Sequence, residues 1–243
     1  AFSLTQHITS ASSTRRHCLN LKGGVCLRMS IPTLYDMPVS NAGARCRIII
    51  YKKGLTLGTD IVIKPPSDLG GLKSPEYLAL NPQGKMPLLV TEDDAIPESD
   101  TIARHLLDRF ADAGPSFRPA GLKARTKSDL LCRLHDVYIQ PIQGCMYKAV
   151  PPFGAFSSRA AALAELRKQL LVLDAAADAE GPYLAGPELS LADAAVFPTL
   201  VFADFILPKF APSGGPPSDP AAGLGPRVYR WFQAMRDSDE VFG

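Results

Sequence analysis

Residues 81–101 read NPQGKMPLLVTEDDAIPESDT. Two cues stand in this stretch. Met86-Pro87 opens the apolar run 87–90, and Glu98-Ser99 precedes a helical pattern with apolar residues at Ile102, Leu106 and Phe110. A proline has no N–H for a ladder, so it belongs at the start of a strand. A helix start carries unpaired amides and a partial positive charge, which suit a carboxylate. Asp93-Asp94 is a turn before a short strand around Ile96. The order of the cues predicts a backbone edge for an extended peptide beside a helix tip for an anion.

Working toward the N-terminus, Thr33-Leu34-Tyr35 is a short apolar strand that Pro38 breaks. Residues 42–53 have helical character and end at Gly54, a natural stop. TDIVIK at 59–64 is β-branched and alternating, so it reads as a second strand. Residues 65–72 form a Pro/Gly loop, and 74–80 a short helix or turn. The order is βαβ, then ββα with a helix over 99–111, which predicts a small mixed sheet with helices packed on it.

Toward the C-terminus, AGPSFRPAG at 113–121 is a linker, and helices follow. One spans 123–147 with an interruption near Pro141, and an Ala/Leu-rich one spans 158–180. Ser190 and Asp193 form a capping box, with Asp in place of Glu, ahead of an apolar run. Residues 207–226 are Pro/Gly-rich and irregular, and 227–237 make a last helix around Trp231.

The chain has 243 residues, 46% of them hydrophobic, enough for one large domain or two small ones. A net charge of +2 argues against nucleic-acid binding driven by bulk charge. The longest apolar stretch, 194–207, is interrupted by Pro198 and Asp204 and reads as a buried helix rather than a membrane span. Cysteines at 18, 26, 46, 132 and 145 form no CxxC pair and no zinc spacing, so no metal is expected. Cys46 reads as buried and inert, and His105 and His135 as helix-surface or satisfied core groups. A reducing compartment, cytosol or plastid stroma, fits this cysteine usage. Residues 1–31 lack acidic residues and carry Arg15, Arg16, Lys22 and Arg28 among Ser and Thr. With the leading Ala1-Phe2, this resembles a plastid transit segment, or an arm that docks on a partner.

Four motifs carry a family resemblance: Ser40 with Arg45-x-Arg47, NPQGKMPLL, PESDTI, and GPYLAGPELSLADAAVFP at 181–198. Together they resemble the soluble glutathione transferases, in particular the serine-type plant enzymes, over residues 32–237. The resemblance implies a thioredoxin-like α/β domain at 32–112 that holds glutathione, the linker at 113–121, and an all-helical domain at 122–243 that supplies most of the pocket for a hydrophobic electrophile. It also implies a cis Met86-Pro87 bond whose neighbouring backbone pairs with the cysteinyl unit. Glutathione is then a cosubstrate, and a homodimer is expected.

Roles for single residues follow from the same resemblance together with elementary chemistry. Ser99 and the helix start take the γ-glutamyl carboxylate, and Glu98 engages its ammonium. Lys73 occupies the neighbourhood of a basic residue for the glycyl carboxylate, and Lys85 is a second cation beside Met86. Ser40 is the thiol activator, since a hydroxyl donating to sulfur favours thiolate. A free thiol with a pKa near 8.5 is only a few per cent ionised at neutral pH, so lowering it by about two units raises the thiolate more than tenfold. Asn41 and Tyr35 are alternative activators. The same sequence leaves open a non-catalytic member of the fold docked in a larger assembly, and a glutathione-dependent lyase or isomerase.

Overall fold

The computed structural model describes residues 19–20, 26–27, 31–210, 224–239 and 242. Most of the leader at 1–31 and of the irregular segment at 207–226 therefore lies outside the described residues. Within the leader, β1 (Leu19–Asn20) pairs antiparallel with β2 (Cys26–Leu27).

The first domain runs β3 (Thr33–Tyr35), α1 (Asn41–Lys52), β4 (Val62–Lys64), α2 (Pro75–Leu80), β5 (Leu88–Val90), β6 (Ala95–Pro97) and α3 (Ser99–Arg109). Its sheet has the order β4-β3-β5-β6, parallel between β3 and β4 and antiparallel elsewhere. This is the expected thioredoxin-like arrangement. The strand expected over 59–64 is trimmed to Val62–Lys64, because Gly58 takes a positive φ and turns the chain there. The expected loop at 65–72 contains a 3-10 turn, Pro66–Leu69, closed by Gly70 in the left-handed region.

Side-chain alternation explains how both sheet faces are covered. Leu34 pairs with Leu89, and both belong to the large core with Ile49, Ile102 and Leu106 of α1 and α3. One residue on, Tyr35 pairs with Leu88, and these join Val90, Tyr77 and Leu80 in a second cluster under α2. Successive residues of a strand point to opposite faces, so the two clusters are separated by the sheet. Tyr35 is therefore a core residue of the α2 side.

The second domain contains α4 (Leu122–Leu134), α5 (Arg159–Ala176), α6 (Leu191–Ile206) and α7 (Pro226–Ser238). The helix expected over 123–147 is shorter. It ends at Leu134, passes through a π-type turn at His135–Ile139, breaks at Pro141, and resumes as a 3-10 turn at Gln143–Met146. Proline lacks an N–H and crowds the preceding turn, which accounts for the break. With its following turn, α6 extends the apolar stretch to Leu191–Phe210, long and apolar enough to cross a membrane by length and composition. Two thirds of that window is buried, with α6 packed chiefly on α1 and α4. Phe197 of α6 meets Trp231, Phe232 and Phe242 at ring separations of 4.9–6.0 Å.

The start of α6 is the expected capping box. The Asp193 carboxylate accepts from Ser190 N at 2.8 Å, Ser190 Oγ at 2.7 Å and Leu184 N at 2.9 Å, and both Ser190 and Asp193 are fully buried. Losing that carboxylate strands buried N–H groups, each costing about 1–3 kcal/mol. Asp193→Ala is expected to lower the unfolding free energy by about 2–4 kcal/mol, read from denaturant or thermal melts. A midpoint equal to wild type would remove the box from the fold's supports.

Candidate active site

The turn before β5 is built locally. Asn81 Nδ2 and the Tyr77 hydroxyl both donate to Lys85 O at 2.8 Å, and Asn81 Oδ1 accepts from Gln83 N at 3.2 Å. Gly84 has φ +59°, and a Cβ there would lie 2.7 Å from Leu72 O, so glycine is required. These bonds hold the carbonyl next to Met86. The Met86-Pro87 peptide is cis, as expected. The ladder of β5 begins at Leu88, so Met86 lies beyond its paired end.

Across β6, Glu98 adopts φ +67°, a rare conformation for a residue with a side chain, and α3 begins at Ser99. Lys85, Met86, Pro87, Glu98 and Ser99 line one cavity of about 440 Å³. The facing wall comes from the second domain as Gln140, Pro141, Gln143, Tyr147 and Lys148, and Ala42 of α1 closes one side. The two cues of residues 81–101 thus meet in a single cleft.

Three candidates have other surroundings. Tyr35 sits in the core under α2, and burial pushes its hydroxyl pKa up, with Asp68 adding to the effect. It is corrected to a structural residue. Lys73 is exposed, with its ammonium over Gly84, 2.9 Å from where a Cβ would stand. It belongs to the rim beside Lys85 rather than to the lining. Ser40 caps α1, its Oγ accepting from Gly43 N at 2.9 Å. It lines an adjoining cavity of about 260 Å³ with Asn41, Ile48, Tyr51, Phe197, Val201 and others. Asn41 Nδ2 donates to Gln143 Oε1 at 3.2 Å, so this bond stands where the two cavities adjoin. Burial pushes the Cys46 thiol up to about 12, which makes it inert at neutral pH.

The two arginines of the Arg45-x-Arg47 motif act in different directions. Arg47 pairs with the Asp36 carboxylate and donates to Met37 O and Pro38 O at 3.0 Å each and to Ser40 O at 3.4 Å, pinning the loop that presents Ser40. Arg45 is 2% exposed. Its guanidinium forks onto Asp136 at 2.5 and 3.1 Å and donates to Ser99 Oγ at 3.4 Å. His135 Nδ1 lies 2.8 Å from Asp136, and His135 Nε2 lies 2.8 Å from Thr199 Oγ1. His135 is the satisfied core imidazole, and burial pulls its pKa down. Asp136 and Thr199 carry no local sequence signal of this role, since Asp136 lies 91 residues from its partner Arg45 and Thr199 lies 64 from its partner His135.

A four-stranded thioredoxin-like sheet with a cis-proline turn ahead of β5, faced by a helical domain, defines a two-domain, thioredoxin-fold class of protein. Comparison with known proteins agrees. Residues 34–115 match the model of the glutathione S-transferase N-terminal domain, and residues 157–234 that of the C-terminal domain. Glutathione S-transferase 3 of Zea mays is 32% identical over 211 residues, covering 83% of this chain and 87% of that one. A stringent starvation protein A homolog of Pasteurella multocida is 30% identical over 71% of this chain and 75% of its own. The solved apo structure of glutathione S-transferase III superposes with a TM-score of 0.64 at 28% identity, over 88% of this chain and 94% of that one. Glutathione transferase F2 of Populus trichocarpa, at 21% identity and a TM-score of 0.66 over 87% and 95% of the two chains, shares the fold. The chain belongs to the glutathione S-transferase family.

The Arg45 network gives a pH dependence. Burial alone would raise the Asp136 pKa, but bonds from His135 and Arg45 outweigh it and hold the carboxyl well below the usual range. A depressed folded-state pKa stabilises above the unfolded value of about 4, and that stability is lost as pH falls through the folded value. Asp136→Asn leaves Arg45 without its counter-charge and is expected to cost about 3 kcal/mol near neutrality. Below about pH 4 the gap between variant and wild type narrows. Parallel melts at pH 7 and pH 3 check this; a gap independent of pH would refute the linkage.

Proposed function

We propose that this chain conjugates the glutathione thiolate to hydrophobic electrophiles. One observation carries the proposal: two unlike cavities meet at the first turn of α1, with Ala42 on one and Ser40 and Asn41 on the other. Glutathione lies in the cleft of Met86, Pro87, Glu98 and Ser99, extended along the Met86 backbone. Its γ-glutamyl carboxylate rests on Ser99 and the α3 start, its ammonium faces Glu98, and Lys73 and Lys85 stand on the glycyl side. The sulfur then comes to the α1 tip, where the electrophile enters from the cavity of Ile48, Tyr51, Phe197 and Val201.

Ser40 is the activator in this reading. Accepting from Gly43 leaves the hydroxyl proton free to donate to sulfur, and the adjacent helix start favours negative charge. Catalysis comes from thiolate stabilisation and positioning, with no covalent bond to the protein. The reading extends to a homodimer, and to a plastid location on the composition of residues 1–31. A second reading, a non-catalytic protein of the same fold docked in a larger assembly, draws on the relative with a stringent-starvation name.

The test is conjugation of glutathione to a generic aromatic halide, followed across pH. Ser40→Ala is expected to lose more than tenfold in rate at neutral pH and to recover partly at high pH, where free thiol ionises unaided. An unchanged profile would pass the role to Asn41. Retention on immobilised glutathione that Met86→Lys abolishes, with no turnover in the wild type and elution in a larger complex, would support the docking reading.

A further inference from the structure

The wall that faces the glutathione cavity is not a regular helix. After the π-type turn it passes Pro141, makes one 3-10 turn at Gln143–Met146, and continues irregularly to the next helix at Arg159. Yet it supplies four polar residues to the cavity: Gln140, Gln143, Tyr147 and Lys148. A single 3-10 turn does not hold such groups rigidly by itself. Support has to come from elsewhere.

It comes from the first residue of α5. The Arg159 guanidinium donates to the carbonyl of Cys145, to Lys148 O at 2.5 Å and to Ala149 O at 3.3 Å. Its charge lies 4.8 Å from the Phe153 ring centroid and 5.2 Å from that of Phe210. A planar fork with several donors suits three carbonyls at once, and two aromatic rings restrain it further. The carbonyls it holds bracket Tyr147 and Lys148. They also follow directly on Gln143, which anchors Asn41 beside Ser40.

We propose that Arg159 is a positioning residue for the transferase reaction, holding the second-domain wall in the form that grips glutathione. The inference rests on the proposed placement of glutathione in this cavity. Arg159 lines neither cavity and acts through Gln143, Tyr147 and Lys148. Its loss frees the wall, so the tripeptide must order it on binding, and that ordering weakens apparent affinity.

Two measurements on the full chain test this. In ligand-free protein, Arg159→Ala is expected to speed amide hydrogen exchange across residues 143–149 relative to wild type, with α1 and β5 unchanged. In steady-state conjugation, it is expected to raise KM for glutathione about fivefold to tenfold with a smaller change in kcat. Arg159→Lys keeps the charge but not the fork and should fall between the two, with thermal melts confirming that each variant is folded. Unchanged exchange over 143–149 overturns the assignment. So does faster exchange with an unchanged KM, which would leave Arg159 a purely structural residue. Wild-type protein that neither binds nor turns over glutathione would instead sink the proposed function, and this inference with it.

Discussion

A guanidinium that is 2% exposed must find charge and hydrogen bonds inside the protein, or its burial would unfold the region around it. Arg45 finds them on both domains. Asp136 supplies a two-pronged carboxylate, and Asp100 approaches to 3.8 Å. Ser99 accepts one further bond. Asp136 is in turn held by His135, which is tied to Thr199 of α6. Separating the domains would leave this charge only Asp100 at 3.8 Å, so the fork onto Asp136 ties the two domains together across the cleft. The hydroxyl at the tip of α3 accepts from the same guanidinium, so the start of α3 depends on residues beyond the linker.

Arg47 shows how much two positions along a helix matter. Residues at i and i+2 do not share a face, so Arg47 turns away from the seam and grips the loop from Asp36 to Ser40. Gly43 belongs to the same device, because a Cβ there would collide with the Asp36 carboxylate that Arg47 holds. The loop that presents Ser40 is thereby fixed from below by an ion pair and from above by the Ser40–Gly43 cap. A short loop with this many restraints holds the Ser40 hydroxyl in one place.

What was legible in the sequence was what is decided within a few residues. NPQGKMP contains its own turn: the Asn81 side chain, the left-handed Gly84 and the proline all act on neighbours. The Ser190–Asp193 box is likewise local. Helix order, sheet order and the meeting of Met86 with Ser99 followed from such units. Tyr35 resembles a tyrosine-type activator only loosely, its spacing to Arg45 being off by about one residue, and strand alternation places it opposite Leu34, on the α2 face. The wall at 140–148 was illegible for a different reason. The break at Pro141 was expected, but the π-type turn before it and the 3-10 turn after it are decided by packing against α5 and α6.

That division has a physical logic. The turn at residues 81–87 is a compact local motif that folds with the first sheet. The wall and the apolar cavity are assembled from segments far apart in the chain: Gln143 and Tyr147 after the broken helix, Phe197 and Val201 on α6, and Phe242 near the end. Pieces that meet only in tertiary structure are free to vary without disturbing that turn. They must then be held by long-range bonds of their own, as Arg159 holds the wall. The apolar cavity is therefore shaped by how distant segments pack, while the turn at Met86-Pro87 is shaped by the contiguous residues 81–101 and the start of α3 is tied to one buried arginine.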